Sequence, residues 1–187
     1  RDPEMSRGLG DVYKRQLLLK LVNDVLELSR IESGNMSFHC EDCSAHHFAE
    51  TVYQTHQVII LPPVEFIKEF PDEDVTIHID RMRLTQVITN FLGNAKKFTS
   101  QGHIKLGYFC DKEKKEIHFF VEDTGAGIPK EELQMIFERF YKRNEFVQGV
   151  GLGLAISKVI VEKMNGHIDV QSEVNKGSRF TAVLPYL

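Results

Sequence analysis

Three short segments, in a fixed order within about seventy residues, constrain this chain more than any other feature. They are residues 90–99 (NFLGNAKKFT), 121–129 (VEDTGAGIP) and 149–158 (GVGLGLAISK). The first places two carboxamides and a lysine on a helix, and the other two are glycine-rich turns. Strand-like and helix-like stretches alternate around them. Period-two runs predict strands over 36–41, 64–70, 75–80, 103–111, 116–123, 167–172 and 179–184. Helical spacing covers 45–59, 82–98, 130–137 and 152–164. The charged run 112–115 lies between two strands and reads as a hairpin loop. Hairpins interleaved with helices predict an α+β fold, a two-layer sandwich with one mixed sheet faced by a layer of helices.

Ahead of this domain, 17–32 is helical. Leu18, Leu21, Val25 and Leu28 keep a three-four spacing that Val22, Leu26 and Ile31 widen, and Ser33, Gly34 and Asn35 stop the run. Residues 1–16 lack periodicity, and DVYKRQ resembles a translated transposon end from a sequencing library. They are read as an assembly or cloning scar outside the fold. The domains are therefore 1–16 as scar, 17–34 as a leading helix and 35–187 as the folded unit. Helix 17–32 fits either packing on its own domain or a bundle seam awaiting a partner.

Composition removes several classes of function. A net charge of −4 with pI near 6.1 gives no support for nucleic-acid or membrane-surface binding. No apolar run approaches the roughly 20 residues a membrane span needs. Three cysteines cannot all pair, which disfavours a disulfide framework. Cys40 and Cys43 form a C-x-x-C with His39, His46 and His47 close by, a conceivable zinc or redox site, but no second such pair follows. The alternation of Met36, Phe38 and Cys40 with polar residues reads better as a half-buried strand, with Ser44 capping the next helix.

The chemistry-bearing residues have local readings of their own. Asn90 and Asn94, at i and i+4, share a helix face with Lys97. Their carbonyl oxygens suit a hard cation, and the lysine can meet phosphate. Spacing alone fits a solvated polar face better, but the full apolar face of the same helix puts these side chains at the border of a packed structure. Asp123 ends a strand beside Gly125 and Gly127, where a carboxylate can accept a hydrogen bond from an exocyclic amine; an ordinary turn explains it equally well. Gly149, Gly151 and Gly153 lead into a helix, a ready anion site. The spacing matches neither a P-loop nor a dinucleotide fingerprint.

Together, in this order, the segments resemble the N, G1 and G2 boxes of the sensor histidine kinases. FERFYK (137–142) stands where that family has its F box, and LVNDVLELSRIESGNM (21–36) resembles the end of the second helix of its dimerisation hairpin. The resemblance covers nearly the whole chain from Leu17. It implies ATP and Mg²⁺ as cofactors, Asn94 as principal metal ligand supported by Asn90, and Asn90, Asn94, Lys97 and Lys142 as the catalytic set. It assigns Asp123 to adenine, with Gly125, Gly127 and Ile128 lining the same turn. Phe140, Tyr141 and Lys142 fall in the ATP lid. Gly149, Val150, Gly151, Leu152, Gly153 and Leu154 fall at the phosphates.

Type II topoisomerases and the large heat-shock chaperones share this fold and carry glutamate where this chain has Asn90. An amide cannot take a proton from water, so simple hydrolysis is disfavoured. The family's phosphoacceptor is a histidine in the first hairpin helix. None of His39, His46, His47, His56, His78, His103, His118 or His167 has that context, which places the acceptor upstream. The resemblance implies a cytoplasmic catalytic domain whose parent is a homodimer anchored in a bacterial inner membrane. That parent would pass phosphoryl from Mg-ATP to its own histidine and on to a response regulator receiver domain. A non-catalytic nucleotide-gated interaction module and an anti-sigma-type serine kinase are the alternatives; the latter lack the LSRIESG helix.

Overall fold

Ser44 and Asp80 decide where two helices begin. The Ser44 hydroxyl accepts from the His47 N–H at 2.9 Å and donates to Asp74 at 2.6 Å. The Asp80 carboxylate accepts from the Arg83 N–H at 3.0 Å. Each side chain thus satisfies a first-turn donor that the helix cannot. The structure, a computed structural model, describes residues 3–142 and 151–186, the side chains of residues 3–11 and 13 excepted.

The elements in order are α1 (Pro3–Glu32), β1 (Glu41–Ser44), α2 (Ala45–Gln57), β2 (Val64–Glu69), β3 (Thr76–Ile79), α3 (Arg81–Phe98), β4 (Gly102–Asp111) and β5 (Glu116–Asp123), then α4 (Gly153–Lys163), β6 (His167–Glu173) and β7 (Gly177–Pro185). Five strands form a mixed sheet in the order β2-β4-β5-β7-β6, with β2 parallel to β4 and the other pairs antiparallel. Helices α2, α3 and α4 cover one face. The α3 stripe of Leu84, Val87, Ile88, Phe91, Leu92 and Ala95 is wholly buried. Phe91 packs against Phe180 of β7 at 5.5 Å between ring centroids, and Phe48 of α2 meets Phe119 of β5 edge-on at 5.3 Å. Two-layer α+β architecture is as expected, and no helix among the described residues is long and apolar enough to cross a membrane.

Three expectations shift. The strand predicted over 36–41 is β1, which starts only at Glu41 and pairs with β3 in a separate two-stranded ribbon, Glu41 opposite Ile79. The ladder cannot run further back, because β3 ends at the Asp80 cap and the His39 N–H bonds that same carboxylate at 2.8 Å. Cys40 is exposed and Cys43 half-buried, so the two are not an equal pair of core residues. The helix predicted over 130–137 is two 3₁₀ turns, Lys130–Glu132 and Met135–Phe137, the first entered from Pro129. Finally, α1 starts at Pro3, not Leu17. Proline suits a helix's first turn, and helical backbone propagates through the weakly patterned stretch. Val12, Lys14, Arg15 and Gln16 are exposed there.

The end of α1 is seated on the domain. Leu28 is buried and Ile31 half-buried against the core. Glu27 receives hydrogen bonds from Arg83 and, at 2.6 Å, from Gln86, both on α3. Leu18, Leu19, Val22, Val25 and Leu26 remain exposed. The predicted stripe is thus divided, with Leu28 packed inward, Leu21 half-buried, and Leu18 and Val25 outward.

Candidate functional site: a groove along the third helix

One groove of about 840 Å³ runs beside α3, between α2 and α4 and under α1. Asn90, Asn94, Lys97 and Gly153 all line it, so the structure gathers the carboxamides, the lysine and the start of α4. Asn90 and Asn94 are half-buried. The Asn90 amide donates to the Ser157 hydroxyl of α4 at 3.1 Å, which leaves its carbonyl oxygen as a neutral oxygen donor. Gly153 is needed for this closeness, since a Cβ there would sit 2.2 Å from Asn90 Oδ1.

Lys97 reaches solvent but stands in a cleft. Burial lowers its pKa first, and the positive charges of Lys20 and Lys142 lower it further. No carboxylate pairs with Lys97 among the described residues. The two amide oxygens are hard, neutral ligands of the kind Mg²⁺ accepts, and the ammonium beside them would suit a phosphate.

A second cluster lies at the C-terminal end of α3. Asp123 is buried and accepts from the Gly125 N–H at 2.8 Å. Burial raises its pKa, opposed by the main-chain N–H groups of Gly125 and Ser178 and by nearby Thr99. The buried Thr99 hydroxyl lies beside the carboxylate but makes no hydrogen bond of proper geometry. The hydroxyl and the carboxylate give this end of the helix two buried polar groups that a ligand could meet.

The G1-like turn is clamped from both sides. Ala126 N–H donates to Phe98 carbonyl at 3.3 Å, Asn175 N–H to Ala126 carbonyl at 2.8 Å, and Ile128 N–H to Ser172 hydroxyl at 2.7 Å. Gly127 sits in this turn, backed by Glu173. Asp123, Gly125, Gly127 and Ile128 therefore do not line the groove itself. They sit just beyond the C-terminal end of the same helix, roughly 13 Å along its axis from Asn90 at 1.5 Å per residue but beside the last turn that carries Lys97.

Phe140 N–H donates to Gly151 carbonyl at 2.8 Å, which ties the residues flanking the lid segment together. Phe140 itself is exposed and holds φ of 62°. Tyr141 is half-buried and Lys142 exposed, while Leu152 is buried and Leu154 half-buried at the start of α4. Gly149 and Val150 lie outside the described residues.

Sequence reasoning missed Ser157, Thr99, Ser172 and Ser178. Ser157 carried a signal, being three residues before Ile160 on the inward face of α4. The others depend on strand register, with Ser178 opposite Asp123. The C-x-x-C does not make a metal site: among the described residues, the only set of His, Cys, Asp or Glu side chains close enough to share an ion is Asp111, Glu116 and His118.

Comparison with known proteins follows the same lines. The model of the family described as histidine kinase-, DNA gyrase B-, and HSP90-like ATPases matches residues 79–187. The sensor histidine kinase WalK of Bacillus subtilis is 34% identical over 174 residues, covering 90% of this chain and 28% of its own length. The sensor histidine kinase RcsC of Salmonella typhimurium is 37% identical over 175 residues, covering 90% of this chain and 18% of its own. The chain thus spans only 18–28% of the length of these two relatives. A structure of full-length ShkA in complex with AMPPNP superposes with TM-score 0.86 at 28% identity, over all of this chain and 39% of that one. The catalytic domain of histidine kinase ThkA, nucleotide-free, gives 0.70 at 28% identity over 81% of this chain and 97% of its own.

Proposed function

Because the chain belongs to the histidine kinase-, DNA gyrase B- and HSP90-like ATPase family, we propose that it is the Mg-ATP-binding catalytic domain of a sensor histidine kinase. In this reading its parent passes the γ-phosphoryl to a histidine outside this chain and then to an aspartate of a response regulator receiver domain. The parent works as a homodimer through the hairpin that α1 completes, and residues 1–16 are a scar.

One observation carries the reading: two half-sites lie along the C-terminal half of α3. On the helix itself are two carboxamides with a lysine that has no carboxylate partner among the described residues, and just past its end is a buried carboxylate beside the Thr99 hydroxyl. Ionised Asp123 accepts a hydrogen bond from the adenine amine, and guanine would present an oxygen there instead. Asn90 and Asn94 would hold Mg²⁺ through their carbonyl oxygens, and the ion would supply charge neutralisation to the phosphates. Lys97, Lys142 and the N-terminus of α4 take the remaining phosphate charge. This chain's contribution is position and charge neutralisation rather than covalent chemistry. Asn90 offers no general base, so water is a poor acceptor.

Radioactive γ-phosphate tests the proposal. The protein should bind Mg-ATP, fail to label itself, turn over ATP slowly, and transfer an acid-labile label to an added histidine-bearing hairpin. Binding without transfer to any hairpin would favour a nucleotide-gated interaction module. Brisk hydrolysis with no acceptor would move it to the ATPase branch.

A further inference from the structure

The groove is not built by the catalytic domain alone. Lys20 and Asp24 of α1 line it together with Asn94 and Lys97. They lie four residues apart, and the same helix face continues through Glu27, Leu28 and Ile31. That continuation is held in place: Glu27 is bonded to Arg83 and Gln86, Leu28 is buried, and Glu32 pairs with Arg139. Face and register of α1 are fixed about two turns from Lys20, so the lysine's direction follows from packing.

We propose that Lys20 is a further nucleotide contact, an ammonium that α1 supplies to the terminal phosphate across the groove. The inference rests on the Mg-ATP reading above and adds a residue from outside the matched family region. Lys20 makes no ion pair among the described residues. Its field, with that of Lys142, already disfavours the charge on Lys97 after burial has done so. Lys20 and Lys97 both line this groove and repel each other until an anion enters, and a terminal phosphate has the charge to offset the pair. Asp24 is the opposing group. Burial raises its pKa, Lys20 lowers it and Glu27 raises it, so the carboxylate attracts Lys20 and competes with a phosphate for it. The other charged residues on the groove, Glu41 and Arg81, are linked to each other at 3.4 Å.

Calorimetric titration of the full chain with ATP and ADP tests the contact. Lys20→Met should weaken ATP about fivefold and ADP less than twofold, as expected for one partly screened charge near a terminal phosphate. High salt should shrink that gap, Lys20→Arg should restore ATP binding, and Asp24→Asn should leave ATP equal or tighter. Glu27→Ala, which releases α1, should reproduce the ATP-selective loss, and adding Lys20→Met to it should cost nothing more. Equal losses for both nucleotides, no loss at all, or additive losses in the double variant would overturn the contact. Failure of the parent reading looks different: the unsubstituted chain would not bind ATP, or Asp123→Asn would weaken neither nucleotide.

Discussion

The Asn90 side chain donates to the Ser157 hydroxyl at 3.1 Å, joining α3 to α4 at the point where the groove needs both. The bond fixes which way the Asn90 carbonyl faces. Ser157 is buried at the wall of the groove. Ser157→Ala should cost about 1 kcal/mol of stability, the usual net worth of a hydrogen bond. It should also weaken Mg-dependent ATP binding several-fold while leaving Mg-free binding unchanged. Titrations with and without Mg²⁺ read the difference; equal losses in both would mean that Ser157 supports the fold alone.

Asp123 should trade stability for binding. Its folded pKa is raised, chiefly by burial, above the ordinary 3.8. The protonated form is therefore favoured by folding. The stability it gives is fully present below pH 3.8 and is lost as pH rises through the folded value. At neutral pH the ionised group is a burden on the empty domain. Asp123→Asn should raise the melting temperature by about 2–4 °C, roughly 1 kcal/mol for a chain of this size. It should weaken ATP by about 1.5–3 kcal/mol, the worth of a hydrogen bond to a charged group. Melting curves across pH 3.5–7 check the sign: the variant's stability should fall less steeply over that window.

Much of this site was legible because its residues cluster along the sequence. Asn90, Asn94 and Lys97 share one helix, and helical periodicity placed them correctly on one face. Asp123 and its glycines are neighbours in the chain. Ser178 faces Asp123 only through the β5–β7 register, and Ser172 reaches Ile128 across 44 residues. No local pattern encodes such pairings. The β1 boundary was misread for a related reason. Alternation of Met36, Phe38 and Cys40 signals burial on one side, and Met36 and Phe38 are indeed packed against the core. Burial without a ladder partner is not a strand, and the partner ends at Ile79.

Tyr108 offers a test far from the site. The side chain is 2% exposed, and its hydroxyl has no hydrogen bond. Burial, then the negative charges of Asp74 and Cys110, push its pKa up to about 12. Tyr108→Phe removes a desolvated hydroxyl and keeps the ring that packs on Phe119 at 5.5 Å. The substitution should stabilise by about 1 kcal/mol, since an unsatisfied buried group costs roughly 1–3. The sign of its pH dependence follows from the raised value: the native contribution holds below pH 10 and fades toward 12. The Phe variant should lack that alkaline slope in denaturant titrations, and a destabilised variant would mean that the hydroxyl has a partner.

Two glycines should respond oppositely to alanine. Gly177 begins β7 with φ of +115°, a conformation that L side chains rarely adopt, and a Cβ would lie 1.8 Å from the Asp123 carbonyl oxygen. That oxygen belongs to Asp123 at the end of β5, so relief of the clash must move either β5 or the β6–β7 turn. The turn is not free to move. Ser172 donates to the Gly177 carbonyl at 3.0 Å and accepts from Ile128, and Asn175 bonds Ala126. Gly177→Ala should therefore cost about 3 kcal/mol or more, in the range of a forbidden backbone combined with overpacking. Any folded fraction should bind ATP poorly, because the Asp123 turn is displaced with it. Gly93 lies inside α3, with nothing within 4 Å of where its Cβ would be. Gly93→Ala should stabilise by roughly 0.5–1 kcal/mol through helix propensity alone. Chemical denaturation of the pair decides the matter. A tolerated Gly177→Ala would show that the β6–β7 hairpin shifts freely against β5, and the clamp on the Asp123 turn would then have to be abandoned.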